Sequence, residues 1–198
     1  MKKNNSTIDY YNCNAEAYAS DTVNVDFSIT QNRFLSYIPS DGLILDFGCG
    51  SGRDSKYFKE KGFIVDAIDG SEELCRIAEV YAGIQVKCML FQELDEVNKY
   101  DGVWACSSIL HLTREELKTV FQKMINSLKS AGIIYTSFKY SSFEGERNGR
   151  YFIDFTEDSF DDFIKGFSDI KIIDEWITSD VRPDRKNERW LNLILRKR

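Results

Sequence analysis

Apolar and polar positions change period repeatedly between residues 43 and 138, which predicts strands and helices in alternation. Short runs that are apolar at nearly every position indicate strands buried on both faces. We predict such strands at 43–47, 63–68, 84–89, 100–106 and 133–138. Strands of this type separated by helices are typical of a doubly wound α/β fold, in which helices cover both faces of a parallel sheet.

Amphipathic stretches with helix-start signals predict the helices. The clearest begins after Thr113, which forms a capping box with Glu116 and precedes apolar residues that recur every three or four positions. Helices are predicted at 6–20, 28–38, 53–61, 71–81, 113–128 and 156–166. The first two precede the sheet, and the next three connect its strands.

The pattern changes after residue 138. A polar stretch at 139–150 is predicted to be a loop, and two further strands are predicted at 170–177 and 190–195. The segment that joins them, 180–185, is too short for a helix, so the last strand is predicted to run antiparallel to its neighbour. The alternative is a five-stranded, flavodoxin-like sheet with a loose tail, and the apolar character of 190–195 disfavours it.

A glycine-rich turn follows the first predicted strand. Gly48, Gly50 and Gly52 alternate with small residues, and a helix begins at Arg53. A strand, a glycine turn and a helix N-terminus together are typical of a nucleotide-type site, because the backbone can approach a ligand and free N–H groups face it.

Two ligands are candidates for this turn, a dinucleotide and S-adenosylmethionine. The spacing is G-x-G-x-G, so the third glycine comes one residue early for the dinucleotide pattern. Asp46 and Asp54 flank the turn and would repel a pyrophosphate, whereas S-adenosylmethionine carries a sulfonium, an ammonium and a ribose diol. The charges therefore favour S-adenosylmethionine.

Composition narrows the class of protein. A length of 198 residues predicts one domain, and the net charge of -6 disfavours broad binding to nucleic acid or anionic membranes. We expect no membrane span and no signal peptide, because the chain has neither a run of about 18 apolar residues nor an apolar segment behind Met1. Scattered cysteines, odd in number, and a single histidine favour free thiols, a cytoplasmic location and no metal site.

The chain resembles the class I S-adenosylmethionine-dependent methyltransferases along nearly its whole length. Residues 46–52 are similar to their first motif, 91–94 to the loop beside the adenine, 105–112 to the segment after the fourth strand, and 131–134 to the turn before the fifth. Among subgroups it is most similar to the small bacterial TehB-like and UbiE-like enzymes. The resemblance implies a Rossmann-like, seven-stranded, mostly parallel sheet with an antiparallel last strand.

The resemblance also implies which residues bind the cofactor. Asp69, at the end of the second strand, matches the acid that accepts both ribose hydroxyls, and an ordinary turn residue is the alternative. Asp46 would orient the turn, and Arg53 would either pair with the cofactor carboxylate or lie solvated. Tyr11 and Tyr18 would belong to a lid over the sulfonium or pack in the core. The predicted set is Asp46, Gly48, Cys49, Gly50, Gly52, Arg53, Asp69, Gly70, Ser71, Phe91, Gln92, Glu93, Cys106, Tyr11 and Tyr18.

The catalytic residue cannot be identified in the same way. Methyl transfer from a sulfonium is an in-line displacement in which the protein mainly aligns the reactants and excludes water. His111, the single histidine, is a candidate general base for a hydroxyl or amine acceptor. A structural role beneath the cofactor is its alternative.

A basic cluster in the last third of the chain suggests the chemistry of the acceptor. Arginines beside tyrosine and tryptophan suit a small carboxylate, phosphate or oxyanion. The alternative is a solvated hairpin in which Asp180, Asp184 and Glu188 neutralise the arginines. The candidates on the acceptor side are Arg147, Arg150, Tyr151, Arg182, Arg185, Arg189 and Trp190.

These features predict a single domain over 1–198, with a helical lid at 1–40, a cofactor-binding core at 41–138 and a substrate-side loop, helix and hairpin at 139–198. The expected function is methyl transfer from S-adenosylmethionine to a small, anionic acceptor, by a monomer or a dimer. A non-catalytic protein that binds or senses S-adenosylmethionine is the alternative. An RNA-modifying enzyme is less supported, because no N-P-P-Y-type tetrad follows the fourth strand.

Overall fold

A seven-stranded sheet covered by helices forms the centre of the computed structural model, which describes residues 4–182 and 185–198. The strands are β1 (Leu43–Phe47), β2 (Ile64–Asp69), β3 (Val86–Cys88), β4 (Tyr100–Ala105), β5 (Leu128–Lys139), β6 (Glu144–Arg147), β7 (Arg150–Ile153), β8 (Ile170–Ser179) and β9 (Arg189–Lys197). The helices are α1 (Asn4–Cys13), α2 (Ala15–Thr22), α3 (Ser28–Leu35), α4 (Arg53–Glu60), α5 (Glu72–Ala82), α6 (Arg114–Ser127) and α7 (Glu157–Ile164).

The strand order is β3-β2-β1-β4-β5-β9-β8, and β6 and β7 form a separate hairpin. Strands β1 to β5 are parallel, and β9 runs antiparallel to both β5 and β8. This confirms the predicted α/β class with its mostly parallel sheet and antiparallel last strand. The chain order reverses between β1 and β4, and in open α/β sheets such a switch point opens a crevice at the carboxyl ends of the strands.

The apolar pattern of β9 explains why the tail belongs to the sheet. Leu191, Leu193 and Leu195 point into the core that α6 covers, whereas Ile194 points into the core on the opposite face, beside Trp104. Each of these β9 side chains is fully buried. A strand that supplies apolar side chains to both faces is stabilised by burial and cannot remain a loose tail.

Several predicted boundaries differ from the observed ones. The helix predicted at 6–20 is two helices that meet at Asn14, where φ is -117° and ψ is 16° and the side chain donates to the Tyr10 carbonyl oxygen at 2.7 Å. Strand β5 begins at Leu128 rather than 133 and accommodates Ala131 with a positive φ of 61°. The strand predicted at 84–89 is shorter, Val86–Cys88.

The polar stretch at 139–150 was predicted as a loop, and most of it belongs to the end of β5 and the hairpin β6–β7. Asn148 and Gly149 both have positive φ, 50° and 75°, between the paired residues Arg147 and Arg150. Two central residues with positive φ are what a tight type I′ hairpin turn requires, and Asn-Gly is its usual sequence. The pair Asn148-Gly149 therefore indicates this hairpin from the sequence alone.

Residues Pro183 and Asp184, which were predicted to lie in the connection between the last two strands, are outside the described residues. No helix in the described ranges is long and apolar enough to cross a membrane.

Replacing Leu193 with alanine is expected to lower the free energy of unfolding by about 2–5 kcal/mol, because the change leaves a cavity between β9 and the α6 side of the core. Val80→Ala is the control, since Val80 is 88% exposed and its loss should change stability by less than about 0.5 kcal/mol. Denaturant titration of both variants measures the difference. Equal effects would contradict the placement of β9 inside the sheet.

Candidate functional site

The turn after β1 makes close contacts that a side chain would block. A Cβ on Gly48, where φ is 89°, would lie 2.5 Å from the Ser108 Cβ. A Cβ on Gly50, where φ is 55°, would lie 3.1 Å from the Tyr18 ring. Because only glycine combines a positive φ with so close an approach, the turn can touch both the segment after β4 and helix α2.

The Asp69 carboxylate fixes this turn to the start of α5. Its Oδ2 accepts from the Gly50 N–H and its Oδ1 accepts from the Ser71 N–H, both at 2.9 Å. Burial raises the pKa of Asp69, and the backbone N–H groups of Ser71, Gly50 and Gly70 oppose this by stabilising the ionised carboxylate. The carboxylate therefore lies at the edge of a cavity with its acceptor atoms already oriented.

This first cavity lies at the carboxyl ends of β1, β2 and β4, where the switch point predicts a ligand site. We call it the cofactor cavity, after the ligand that the sequence analysis predicts for it. Among the predicted residues it is lined by Tyr11, Tyr18, Gly48, Gly50, Asp69, Gly70, Phe91, Gln92 and Cys106. His111 also lines it, together with residues that were not predicted to take part in binding, namely Thr7, Ile8, Leu74, Leu90, Ser107, Ser108 and Leu112.

Gln92 carries a donor that its surroundings leave without a partner. Its Nε2 atom is buried and makes no hydrogen bond to any described residue. Buried polar groups are normally paired, so an unpaired donor in a cavity wall is suited to a ligand that supplies an acceptor. Glu93, which was predicted together with Gln92 to bind the cofactor, is exposed and accepts from the Leu90 N–H at 2.7 Å.

Six predicted cofactor residues lie outside this lining. They are Asp46, Cys49, Gly52, Arg53, Ser71 and Glu93. Ser71 caps α5 by accepting from the Leu74 N–H, and it donates to the Asn12 side chain of α1. Cys49 packs in a small buried cluster with Cys75. Ser71 and Cys49 therefore stabilise the elements that surround the cavity and do not line it.

Asp46 ties β1 to α4. Its Oδ2 accepts from the Ser55 hydroxyl at 2.6 Å, and the side chain is buried. Burial raises the pKa of Asp46 to about 8, and the nearby Asp54 carboxylate adds to the shift. A cation near this turn would favour the ionised form of Asp46.

A second cavity adjoins the first across a wall made of five residues that line both cavities. We call it the acceptor cavity, after the predicted acceptor-side residues among its lining, and the residues shared with the first cavity are Tyr11, Tyr18, Cys106, Ser107 and His111. The acceptor cavity is bordered on its far side by the β6–β7 hairpin and by the ends of β8 and β9.

Ser107 has an unusual backbone conformation in this wall. Its φ is 52°, and its N–H donates to the Ser137 hydroxyl at 2.9 Å. A positive φ in a residue other than glycine is uncommon and is concentrated at functional sites. The sequence alone carries no signal for it, because serine is not among the residue types that favour this conformation.

A hydrogen-bonded chain crosses the wall from Arg150 to His111. Arg150 Nη1 donates to the Tyr11 hydroxyl at 3.1 Å, and Tyr11 lies 2.9 Å from His111 Nε2. His111 Nδ1 lies 2.7 Å from the Tyr151 carbonyl oxygen, which can only accept. His111 therefore carries its proton on Nδ1 and accepts from Tyr11 at Nε2. Burial lowers the pKa of His111 to about 4, so the ring is neutral near pH 7.

Arg53 lies in the acceptor cavity, not in the cofactor cavity. Its guanidinium binds the Asp54 carboxylate through two hydrogen bonds, at 2.8 and 2.9 Å. The same carboxylate accepts from Gln31 at 2.7 Å and from the Trp104 indole at 2.8 Å. Asp54 thereby joins α3, α4 and β4 behind the cavity wall, and its charge is neutralised by Arg53.

The acceptor cavity is rich in cations, and most of them are paired with carboxylates. Arg147 pairs with Asp154 at 2.6 Å, and Arg182 pairs with Asp180 at 2.6 Å. The lining cations are Arg53, Lys139, Arg147, Arg150, Arg182 and Arg185. Lys139 pairs with Glu188. Trp190 also lines the cavity and donates to Asp180 at 3.0 Å.

Arg150 differs from the paired arginines. Its guanidinium makes no ion pair with any carboxylate in the described part of the chain, and its buried Nε has no hydrogen-bond partner there. The Tyr10 ring lies 4.2 Å from its guanidinium carbon. A buried donor on an uncompensated cation is suited to an anionic ligand group.

Two acceptor-side candidates do not line the cavity. Arg189 lies over the Tyr140 ring, 5.2 Å from its centre. The Tyr151 hydroxyl donates to Glu144 at 2.9 Å, and only its backbone carbonyl takes part in the site, through His111. Other residues line the cavity although the sequence did not single them out, among them Phe27, Lys139, Asn148 and Phe152.

The depressed pKa of His111 makes a prediction about stability. Between pH 6.5 and about 4 the unfolded chain binds a proton at His111 and the folded chain does not, so this group stabilises the fold above pH 6.5 and the contribution is lost as the pH falls through 4. The loss should be on the order of 3 kcal/mol. Urea titrations of the protein and of His111→Gln across this range measure it, and parallel pH profiles would contradict a buried, neutral His111.

Comparisons with known proteins agree with the fold and the glycine turn. A family model described as a methyltransferase domain matches residues 44–132. A candidate methyltransferase of Bacillus subtilis, YqeM, is 34% identical over 113 residues, which are 52% of this chain and 46% of that protein. An uncharacterized methyltransferase of Staphylococcus carnosus is 25% identical over 179 residues, 85% of this chain and 86% of its own. The chain thus spans about half the length of the first of these relatives.

A solved structure extends the likeness to the whole fold. The 1,6-didemethyltoxoflavin-N1-methyltransferase of Burkholderia thailandensis, with bound 1,6-didemethyltoxoflavin and S-adenosylhomocysteine, superposes with a TM-score of 0.78 at 20% identity. The superposition covers 98% of this chain and 86% of that one. Residues 44–132 therefore resemble a methyltransferase domain, and the whole chain has the fold of that solved structure.

Proposed function

We propose that the protein is an S-adenosylmethionine-dependent methyltransferase that transfers a methyl group to a small, anionic acceptor and leaves S-adenosylhomocysteine. The observation that carries this proposal is the wall shared by two cavities, formed by Tyr11, Tyr18, Cys106, Ser107 and His111. In-line displacement needs a donor and an acceptor on either side of one contact point. Two adjoining cavities with different linings provide that arrangement.

The residues of the cofactor cavity fit S-adenosylmethionine. The Asp69 carboxylate can accept from a ribose diol, since a carboxylate has several acceptor positions and the backbone donors use only some of them. The unpaired Gln92 Nε2 can donate to an adenine nitrogen beside Phe91. When bound, the cofactor supplies the activated methyl group on its sulfonium. Tyr11 and Tyr18 lie at the shared wall, where an aromatic face favours a cation.

The lining of the acceptor cavity favours a flat or compact anion. Phe27, Phe152 and Trp190 supply apolar walls, and Arg150 supplies the cation that lacks a carboxylate partner among the described residues. The Burkholderia thailandensis enzyme, which has the same fold, holds 1,6-didemethyltoxoflavin together with S-adenosylhomocysteine. That precedent supports a small-molecule acceptor for this chain as well.

His111 has the geometry of a positioning residue. With a pKa of about 4 it is a weak base, and its Nε2 already accepts from Tyr11. Its neutral ring holds the Tyr11 hydroxyl at the boundary of the two cavities, while its Nδ1–H holds β7. The contribution to rate then comes from alignment and the exclusion of water.

Within the class we place the chain among the small bacterial TehB-like and UbiE-like enzymes, which the segment 105–112 supports. We also propose the division of labour expected from the sequence, with 1–40 as lid, 41–138 as cofactor-binding core and 139–198 on the acceptor side. This division is supported by Tyr11 and Tyr18 of the first two helices, which line the cofactor cavity, and by Arg150 of the hairpin, which lines the acceptor cavity.

Asp69→Asn is expected to weaken the binding of S-adenosylhomocysteine about tenfold or more, because one charge-assisted acceptor is lost. Asp66→Asn is the matched control, since Asp66 lies on the same strand but lines neither cavity. Isothermal titration calorimetry measures both, with thermal unfolding to confirm that each variant is folded. Unchanged affinity in Asp69→Asn would contradict the assignment of the cofactor cavity.

Arg150→Gln is expected to raise the KM for an anionic acceptor about tenfold or more, since a buried cation no longer meets the anion. Arg189→Gln is the control, because Arg189 lies outside the cavity lining. The measurement is release of S-adenosylhomocysteine with a panel of small carboxylates and phosphates.

The same assay separates the alternatives. If S-adenosylmethionine binds and no acceptor of any class releases S-adenosylhomocysteine, the non-catalytic binding protein becomes the better account. If only uncharged or cationic acceptors are methylated, the anionic part of the proposal fails and the methyltransferase part stands.

A further inference from the structure

Two cysteines contact the backbone of the turn that carries Asp69. The Cys75 thiol, in the first turns of α5, donates to the Asp69 carbonyl oxygen at 3.4 Å. The Cys88 thiol, at the end of β3, lies 4.0 Å from the Gly70 carbonyl oxygen, and Cys88 is the register partner of Asp69 in the sheet. Both sulfur atoms therefore lie against consecutive carbonyl groups of one turn.

The two thiols are neighbours because they contact the carbonyl oxygens of two consecutive residues, and they differ in access to solvent. Cys88 is exposed on the edge strand of the sheet, whereas Cys75 is only 5% exposed. An exposed thiol beside a buried one is the arrangement in which a soluble oxidant attacks the first and the second closes a disulfide.

We propose that Cys88 and Cys75 form an oxidant-sensitive thiol pair, in which a hydroperoxide oxidises Cys88 and Cys75 then closes a disulfide that distorts the turn carrying Asp69. No residue of this pair lines either cavity. The pair is therefore a modification site separate from the proposed chemistry.

The steps balance with one hydroperoxide. The Cys88 sulfur attacks one peroxide oxygen, the O–O bond breaks, and the proton of the thiol leaves with the alcohol or water that is released, which gives a sulfenic acid. The Cys75 sulfur then attacks the Cys88 sulfur, the S–O bond breaks, and the hydroxyl leaves as water with the Cys75 proton. Two thiols are oxidised and one peroxide is reduced by two electrons.

The order of these steps follows from the environments. Burial raises the pKa of Cys75, with the Asp69 charge adding to the shift, so Cys75 is seldom a thiolate and is suited to the second step. Cys49 is a competing partner because it packs against Cys75, but it is itself buried. Cys13 is the other exposed cysteine, on α1, and it is the internal control.

A disulfide here should change the turn. The S–S bond is about 2.05 Å long, well short of any contact between two thiols, so closure brings the two sulfur atoms closer together and changes their positions against the Asp69 and Gly70 carbonyl oxygens. Closure also removes the thiol proton that Cys75 donates to the Asp69 carbonyl oxygen. Asp69 orients Gly50 and Ser71, so the cofactor cavity is expected to lose complementarity. This last step rests on the proposed function, whereas formation of the disulfide does not.

The test treats the full chain with hydrogen peroxide and maps its thiols by mass spectrometry of a non-reducing tryptic digest. Trypsin separates the two cysteines because Arg76 and Lys87 lie between them. We expect a 75–88 disulfide, a loss of affinity for S-adenosylhomocysteine of about fivefold or more, and recovery of both with dithiothreitol. Cys88→Ser should abolish the disulfide and the loss, and Cys13→Ser should change neither.

Other outcomes overturn specific parts. A disulfide between Cys49 and Cys75, or oxidation of Cys13 with Cys75 and Cys88 still reduced, overturns the thiol pair. A 75–88 disulfide without any change in affinity overturns its coupling to the site. If the reduced protein binds no S-adenosylhomocysteine, the proposed function fails, and the digest alone still decides whether the pair exists. Cys88→Ser changes an exposed residue, so the control is expected to fold.

Discussion

The absence of a Cβ in the turn after β1 is the constraint on which the rest of the site depends. With φ of 89° at Gly48, the backbone passes close to Ser108 after β4, and at Gly50 it passes close to the Tyr18 ring of α2. The turn is thus the meeting point of two elements distant in sequence. Asp69 adds a third, because its carboxylate binds the turn to the beginning of α5.

The same contacts create the boundary between the two cavities. Tyr18 approaches the turn from α2, and Ser108 follows directly after Cys106 and Ser107. Tyr11, Tyr18 and the end of β4 therefore form one wall with a cavity on each side. A side chain at Gly48 would push the β4 end away and open this wall, so the closeness of the turn determines where a donor and an acceptor can meet.

The arginines that line the acceptor cavity differ in whether a carboxylate neutralises them. Buried ions normally need partners, and Arg53 with Asp54 and Arg147 with Asp154 meet that need. Arg150 instead donates to the neutral hydroxyl of Tyr11 and keeps a buried Nε without a partner among the described residues. The paired charges are structural, whereas Arg150 keeps a donor that the proposed anionic acceptor can use.

Sequence patterns predicted the sheet and the glycine turn better than the directions of side chains around the cavities, for physical reasons. Strand periodicity and glycine spacing are local, so β1 and its turn, with Asp69 at the end of β2, were placed correctly. The break between α1 and α2 lies in the backbone conformation of one residue, Asn14, which the periodicity of apolar positions does not indicate. The direction of a side chain in the site depends on tertiary packing, so the sequence predicted side-chain positions less well than it predicted strands. Arg53 follows the glycine turn, yet its bond to Asp54 holds it in the acceptor cavity. The β6–β7 hairpin could have been predicted from the sequence, since the Asn148-Gly149 pair is a local signal for a tight turn.

The most direct test of the two-cavity account is a crystal structure with S-adenosylhomocysteine bound. The account predicts that the ribose hydroxyls bind Asp69, that the adenine lies beside Phe91 and Gln92, and that the sulfur atom faces the acceptor cavity between Tyr11 and Ser107. A sulfur atom that faces away from that cavity, or a nucleoside bound elsewhere, would contradict it.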